Sequence, residues 1–449
     1  MKKLILAVLL VVIPASMAAA EKKRLLVDEA VSLAMRNNKL VQISRMKAES
    51  ASARHDETAA ANKPTLQLQA GYTRLSDIPG LTMSLPAPPP APPNTWFSAP
   101  LVSNIPDNYA LKATVQYPLF TGHALEGAEK AADYNAMASG SDFTNDRSEL
   151  AFGVKNAYWW LYKAIKVKSV LDKNVEQMRQ HLDDVKSMVE AGIILKDEQL
   201  KAQVRLLNTR FSQTDANNNV RLAMMALNNI IGLPLDMEIE PTSKLLPENR
   251  ALKPLSDYLQ DAANNRPDLK AALTRVSASG EAVRAAKGGY YPQVGLFGNV
   301  SYMRPNPRIF PGMDEFDTTW DVGVGINYNL LDWGAVKSRV RQAEAAKSQA
   351  ELAAEQMKDA VELDLNQSYL LLRQATERIS ISREAVEEAQ ESLRITKNRF
   401  AGGFATNTDV LDAEVGLLQA QLNYTVSIAD YEVADAKMKR SVGEPESEK

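Results

Sequence analysis

Two aspartates three residues apart, Asp409 and Asp412, are the side chains in this sequence best spaced to do chemistry. At that spacing two carboxylates share one face of a helix. Thr406 to Asp409 reads as the capping box that opens the helix, with a carboxylate suited to its positive end. The cap accounts for Asp409 better than for Asp412. Leu411 and Leu418 begin an apolar seam on a different face, which leaves both aspartates free to line an aqueous path. Two other spots combine a glycine able to adopt positive φ with an exposed apolar residue at a helical turn: Ala191-Gly192-Ile193 and Gly402-Gly403-Phe404.

The remaining candidates read as structure. His55, His123 and His181 are isolated, without the paired spacing of a metal site, and read as surface or packing residues. Gly323-Val-Gly325 lies inside a strand with no phosphate loop after it and reads as relief of crowding. Asp183-Asp184 and Glu387-Glu388 have Lys and Arg nearby and read as solvated helix faces. There is no nucleophile with a base and no cofactor fingerprint, so the sequence supports neither an enzyme nor a bound cofactor or metal. The absence of cysteine excludes disulfides, thiolate metal sites and an acylated N-terminal cysteine. A formal charge of −3 offers no basic field for nucleic acid.

The elements that would position these residues are long. Leu365, Leu372, Ile379, Val386, Leu393 and Phe400 recur every seven residues, with small residues (Ser368, Ala375, Ser382, Ala389, Thr396) three positions after each of the first five. This is a coiled-coil seam in which large residues alternate with small ones. At 1.5 Å per residue the helix from 334 to 400 would be about 100 Å long. Just before it, Trp320 to Leu330 alternates apolar and polar residues with the period of a two-faced strand.

A shift of 211 residues lays the chain on itself: Tyr117 on Tyr328, Leu161 on Leu372, Gly192 on Gly403, and Gly232-x-Pro234 on Gly443-x-Pro445. Upstream the shift becomes 229, with Asp28, Ala34 and Leu40 falling on Asp257, Ala263 and Leu269. The chain is therefore two tandem copies of one unit. Residues 1–20 read as a cleaved secretory signal, with Lys2-Lys3, an apolar centre and an A-x-A site. The first unit, 21–234, should run helix (28–62), strands 65–75 and 109–119, long helix 123–189 and helix 197–231. A connection, 235–254, leads to the second unit, 255–449, with helix 255–287, strands 293–303 and 319–330, long helix 334–400, helix 408–442 and a short tail. Nine prolines between Pro79 and Pro106 suggest an exposed, stiff loop unable to join a sheet.

Each strand has the length that crosses a bilayer when tilted, with apolar residues on one face and Gln, Asn, Thr and Asp on the other. Four strands cannot close a barrel, and open edges are not tolerated in lipid, so the chain must assemble with copies of itself. With its duplicated order, Tyr291-Pro292 strand start, Gly232-x-Pro234 helix end and second turn from Arg399 to Ala413, the mature chain resembles the outer membrane efflux protein family, the TolC-like channel-tunnels. The resemblance implies a mainly helical fold with a small β part, in which three chains share a twelve-stranded outer-membrane barrel and a periplasmic helical tunnel. It also implies a periplasmic adaptor and an inner-membrane pump as partners, with small-molecule efflux favoured and type I protein secretion as the alternative. The glycine turns would then meet the adaptor, and Asp409 and Asp412 would form rings of negative charge at a periplasmic constriction. A soluble periplasmic coiled-coil adaptor or scaffold explains the heptads and the signal, but not four amphipathic strands.

Overall fold

The computed structural model describes residues 22–76, 81–102, 105–243, 252–310 and 312–444. The expected signal at 1–20, most of the second half of the connection, and the tail after 444 lie outside the described residues. The chain divides into two compact units, each assembled from both sequence repeats: residues 1–45, 142–269 and 358–449 in one, 46–141 and 270–357 in the other.

The second of these units contains a four-stranded antiparallel sheet in the order β2 (Thr65–Arg74), β5 (Asp107–Phe120), β7 (Gln293–Arg304), β8 (Asp317–Asn327). Each repeat contributes a hairpin, and the two are joined through β5 and β7. Among the described residues that leaves β2 and β8 as unpaired edges. On one face Thr114, Asn299 and Asp321 lie in register across three strands. Thr114 Oγ1 donates to Asn299 Oδ1 at 2.9 Å and Asn299 Nδ2 donates to Asp321 Oδ2 at 2.8 Å. The other face carries Leu66, Leu68, Val300, Trp320, Val322, Val324 and Ile326, all exposed. A Cβ on Gly323 would come within 2.7 Å of the Phe297 ring, so the glycine does relieve crowding on the polar face.

The fourth strand is shorter than the alternation predicts: it ends at Asn327, before Tyr328 to Leu330. Five residues further on, Asp332 accepts from the N–H groups of Gly334 (2.9 Å) and Val336 (2.7 Å), which caps the next helix. The proline-rich stretch corrects the expectation more directly. It forms an antiparallel ribbon of β3 (Leu81–Pro86) and β4 (Trp96–Val102). The densest prolines sit in its turn, and Pro86 and Pro100 fall at pair positions that a two-stranded ribbon, being all edge, tolerates.

The first unit is helical around a short parallel pairing of β1 (Lys23–Leu25) with β6 (Ile239–Pro241), which sequence periodicity did not indicate. Helices α3 (Ala124–Glu190), α4 (Lys196–Ile231), α7 (Ala335–Ala401) and α8 (Asn407–Val442) match the expected bounds within one residue. The shorter helices do not. The expected helix 28–62 breaks at Asn38 into α1 (Val27–Asn37) and α2 (Lys39–Ala60), and 255–287 breaks at Arg266 into α5 (Leu255–Asn265) and α6 (Pro267–Lys287). Arg266 precedes Pro267 and takes extended ψ (120°), because the proline ring disfavours the helical region for its predecessor. Asn38 does the same with its side chain: Oδ1 accepts from Leu40 N–H at 2.8 Å and Nδ2 donates to Ile230 O at 2.9 Å.

Both breaks receive the end of a long-helix partner. Gly232 and Gly443 terminate α4 and α8 with φ of +74° and +77°. A Cβ on Gly232 would sit 2.7 Å from Asn37 Cβ, and one on Gly443 would sit 2.9 Å from Arg266 N. The heptad seam of α7 is present, with Leu365, Leu372, Ile379 and Leu393 buried. Its small positions face serines of α8: Ser368 with Ser441 at 2.7 Å and Ser382 with Ser427 at 2.9 Å.

Candidate functional site: the helical turns and the first turn of α8

The two turns between long helices are built alike. Gly192 and Gly403 have φ of +75° and +76°. Gly192 N–H donates to Val189 O and Ile193 N–H to Met188 O; Gly403 N–H donates to Phe400 O and Phe404 N–H to Arg399 O, all at 2.7–3.0 Å. This doubled bond pattern needs the left-handed residue, and glycine takes it without strain. The following side chains stand in solvent, Ile193 at 71% and Phe404 at 79% exposure. A Cβ on either glycine would meet open space, so the glycines are required for their backbone angle and not for packing. Leu195, which the sequence reading did not single out, is equally exposed and starts α4 where Thr406 starts α8.

The capping box is present. Thr406 Oγ1 accepts from Asp409 N–H at 3.2 Å, and Asp409 Oδ2 accepts from Thr406 N–H at 2.7 Å. The Thr406 backbone N–H, followed by its hydroxyl, holds the Asp409 carboxyl below its usual range. Asp412 is exposed on the same helix. The packed face is defined by Val410, Leu411 and Leu417, all buried, with Leu418 only half-buried, so the seam begins one residue earlier than the sequence suggested.

Between the two aspartates and the first repeat lies a bridge that sequence reasoning missed. Asn407, 3% exposed, donates from Nδ2 to Glu198 Oε2 at 2.9 Å, while His181 Nε2 lies 2.7 Å from Asn407 Oδ1. Because the amide nitrogen faces the carboxylate, the amide oxygen must accept, and His181 Nε2 carries the proton. Glu198 also accepts from Lys201 Nζ at 2.6 Å; first this lysine and then Asn407 lower its pKa. His181 is therefore the packing histidine the sequence suggested, with its ring 6.3 Å from Phe400. The bridge ties the first residue of α8 to α3 and α4. A little further on, buried Glu414 lies 2.9 Å from Lys397 Nζ, an ion pair from α7 to α8.

Beside this bridge a cleft of about 510 Å³ is lined by His181, Met188, Ile193, Lys397, Phe400 and Val410. None of these groups pairs a nucleophile with a base. The arrangement fixes a helix start, presents two carboxylates to water, and exposes apolar tips.

The family model of the outer membrane efflux proteins matches residues 30–233 and 258–444, the two repeats in turn. The outer membrane efflux protein BepC of Brucella suis is 22% identical over 325 residues, 71% of this chain and 69% of that protein. The outer membrane protein TolC of Escherichia coli is 24% identical over 334 residues, 71% of this chain and 66% of that protein. Among solved structures the CusC channel superposes with a TM-score of 0.78 at 17% identity, covering 93% of this chain and 92% of CusC.

Proposed function

The chain belongs to the outer membrane efflux protein family, and from that premise we propose that it is the outer-membrane channel of an export system that moves small molecules out of the cell. The observation that carries this reading is the sheet. Its four strands leave β2 and β8 unpaired, and one face exposes a continuous set of large apolar side chains. Such a sheet is stable in lipid only when its edges are paired and its apolar face meets hydrocarbon. No helix among the described residues is long and apolar enough to cross a membrane, so the strands carry the membrane contact. Three copies supply a closed twelve-stranded barrel with the Thr114–Asn299–Asp321 face turned to water.

The helices then form the periplasmic conduit. Ile193, Phe404 and their glycines dock a periplasmic adaptor, which links the channel to an inner-membrane pump. Asp409 and Asp412, repeated three times, make a negatively charged neck that favours cations. Cell fractionation tests the reading. A heat-modifiable trimer in the outer-membrane fraction is expected; a soluble periplasmic monomer would refute it and favour a coiled-coil scaffold.

A further inference from the structure

The β3–β4 ribbon has no part in the function described so far, yet it is the least ordinary surface of the chain. From Leu81 to Val102 it contains no Lys, Arg, Asp or Glu, in a chain that is 24% charged. Pairing of Leu85 with Phe97 and of Ser84 with Ser98 sorts the ribbon into two faces. Met83, Leu85 and Phe97 share one face and are 46%, 37% and 45% exposed. Ser84 and Ser98 lie on the other, together with Trp96, 63% exposed at its edge. The two strands pack on each other, and no other element among the described residues makes an extended contact with either. A free apolar ribbon of this kind is expected to have an occupant.

Topology gives its position. Strands β2 and β5 join helices at Thr65 and Phe120, and the ribbon is inserted between their opposite ends, Arg74 and Asp107. The loop between β7 and β8 emerges at the same end, since Tyr109 pairs with Arg304. The ribbon therefore belongs to the end of the sheet away from the helices. It also follows β2 in the chain, and β2 is one of the two sheet edges left unpaired among the described residues.

We infer that the ribbons of three chains pack against one another through the Met83, Leu85 and Phe97 face, above the outer mouth of the barrel. The inference rests on the trimeric channel reading. Two observations select a second copy of this chain as the occupant. The β2 edge brings a neighbouring chain to the base of each ribbon. In addition, the surface is neutral. Around a threefold axis every side chain meets its own copies, so any charge would face the same charge twice, whereas an apolar, uncharged face can pack on itself. A lipid headgroup layer would instead be met by basic residues, and the ribbon has none.

The chain lacks cysteine, which makes the test direct. Phe97→Cys and Leu85→Cys are introduced singly into the full chain, with Ser84→Cys as the control on the other face, and isolated outer membranes are oxidised. Three thiols around an axis can form one disulfide, so up to two chains in three should run as a linked dimer for Phe97→Cys and Leu85→Cys, with the third thiol left free. Ser84→Cys should stay monomeric on the same gel. If Phe97→Cys and Leu85→Cys stay monomeric and react fully with a membrane-impermeant maleimide while amine crosslinking still traps a trimer, the inference falls and the channel reading stands. Labelling only by a lipid-soluble maleimide would place the face on the bilayer and also overturn it. Loss of the amine-crosslinked trimer in the otherwise unaltered chain would remove the channel reading itself.

Discussion

Replacing Asn407 by leucine should loosen the start of α8 without touching either aspartate. The size of the effect follows from the bridge. The substitution removes a hydrogen bond to the Glu198 carboxylate at 2.9 Å and leaves the His181 Nε2–H, on a residue 6% exposed, without its acceptor. A hydrogen bond to a charged group contributes about 1.5 kcal/mol or more, and an orphaned buried donor costs a similar amount. Glu198 keeps Lys201 at 2.6 Å, so its carboxylate is not orphaned, and the lower end of that range applies. The total is about 3 kcal/mol, roughly a hundredfold in the equilibrium for local opening. Native-state hydrogen exchange at the amides from Val410 to Ala413 reads it directly. His181→Phe added to Asn407→Leu should recover part of the loss, because two apolar partners leave nothing unsatisfied. Exchange within threefold of the parent protein, or a double variant worse than Asn407→Leu alone, would refute the bridge as a source of local stability.

Three further outcomes follow. Replacing Asp409 and Asp412 together by alanine should lower cation preference and weaken block by trivalent cations in planar bilayers; unchanged selectivity would leave Asp409 as a helix cap only. Replacing Gly192 and Gly403 by tryptophan imposes positive φ on a bulky residue, a strain of about 1–2 kcal/mol per site, and should abolish export while crosslinking still shows the assembled trimer. Burial, with Asp435 adding to it and Lys439 opposing, raises the Glu432 carboxyl to about 7. The folded chain therefore holds this proton more tightly than the unfolded one, and the group costs stability increasingly as pH rises from its ordinary 4.5 through 7. Glu432→Gln should accordingly raise the thermal midpoint at pH 8 and leave it nearly unchanged at pH 5.

Much of the fold was legible because its signals are periodic and duplicated. A seven-residue repeat sustained along α7, and a strict alternation in β8, each specify an element without knowledge of its partners. The repeat shift of 211 residues then transfers the boundaries of the long helix and of the helix after it from one repeat to the other. The helix breaks at Asn38 and Arg266 were missed for opposite reasons. At Arg266 the signal is local and visible in Pro267, which disfavours the helical region for the residue before it. At Asn38 no residue type forbids the helix, and the break is held by a carbonyl of Ile230, 192 residues away. The β3–β4 ribbon was missed because proline counts speak against sheets in general, while a two-stranded ribbon has no central strand for proline to disrupt.

The site divides along the same line. The Thr406–Asp409 box and the glycines at 192 and 403 are local devices, written in residues next to one another, and the structure holds them in the expected geometry. Asn407 is different: it follows the cap as an ordinary polar residue at the first helical position. Its partners, His181 and Glu198, lie 226 and 209 residues earlier in the chain. The repeat gives no help either, since Asn407 falls on Lys196 and His181 on Ser392. This departure from symmetry has a physical consequence. The first repeat starts α4 with Leu195 and no side-chain cap, whereas the second starts α8 with a threonine cap and a buried amide tied to both long helices of the first. The helix that carries the two carboxylates is therefore the more firmly anchored of a duplicated pair, and the anchor sits one residue from the cap and five from Asp412. Separating the first turn of α8 from α3 and α4 must first break the Asn407 bridge.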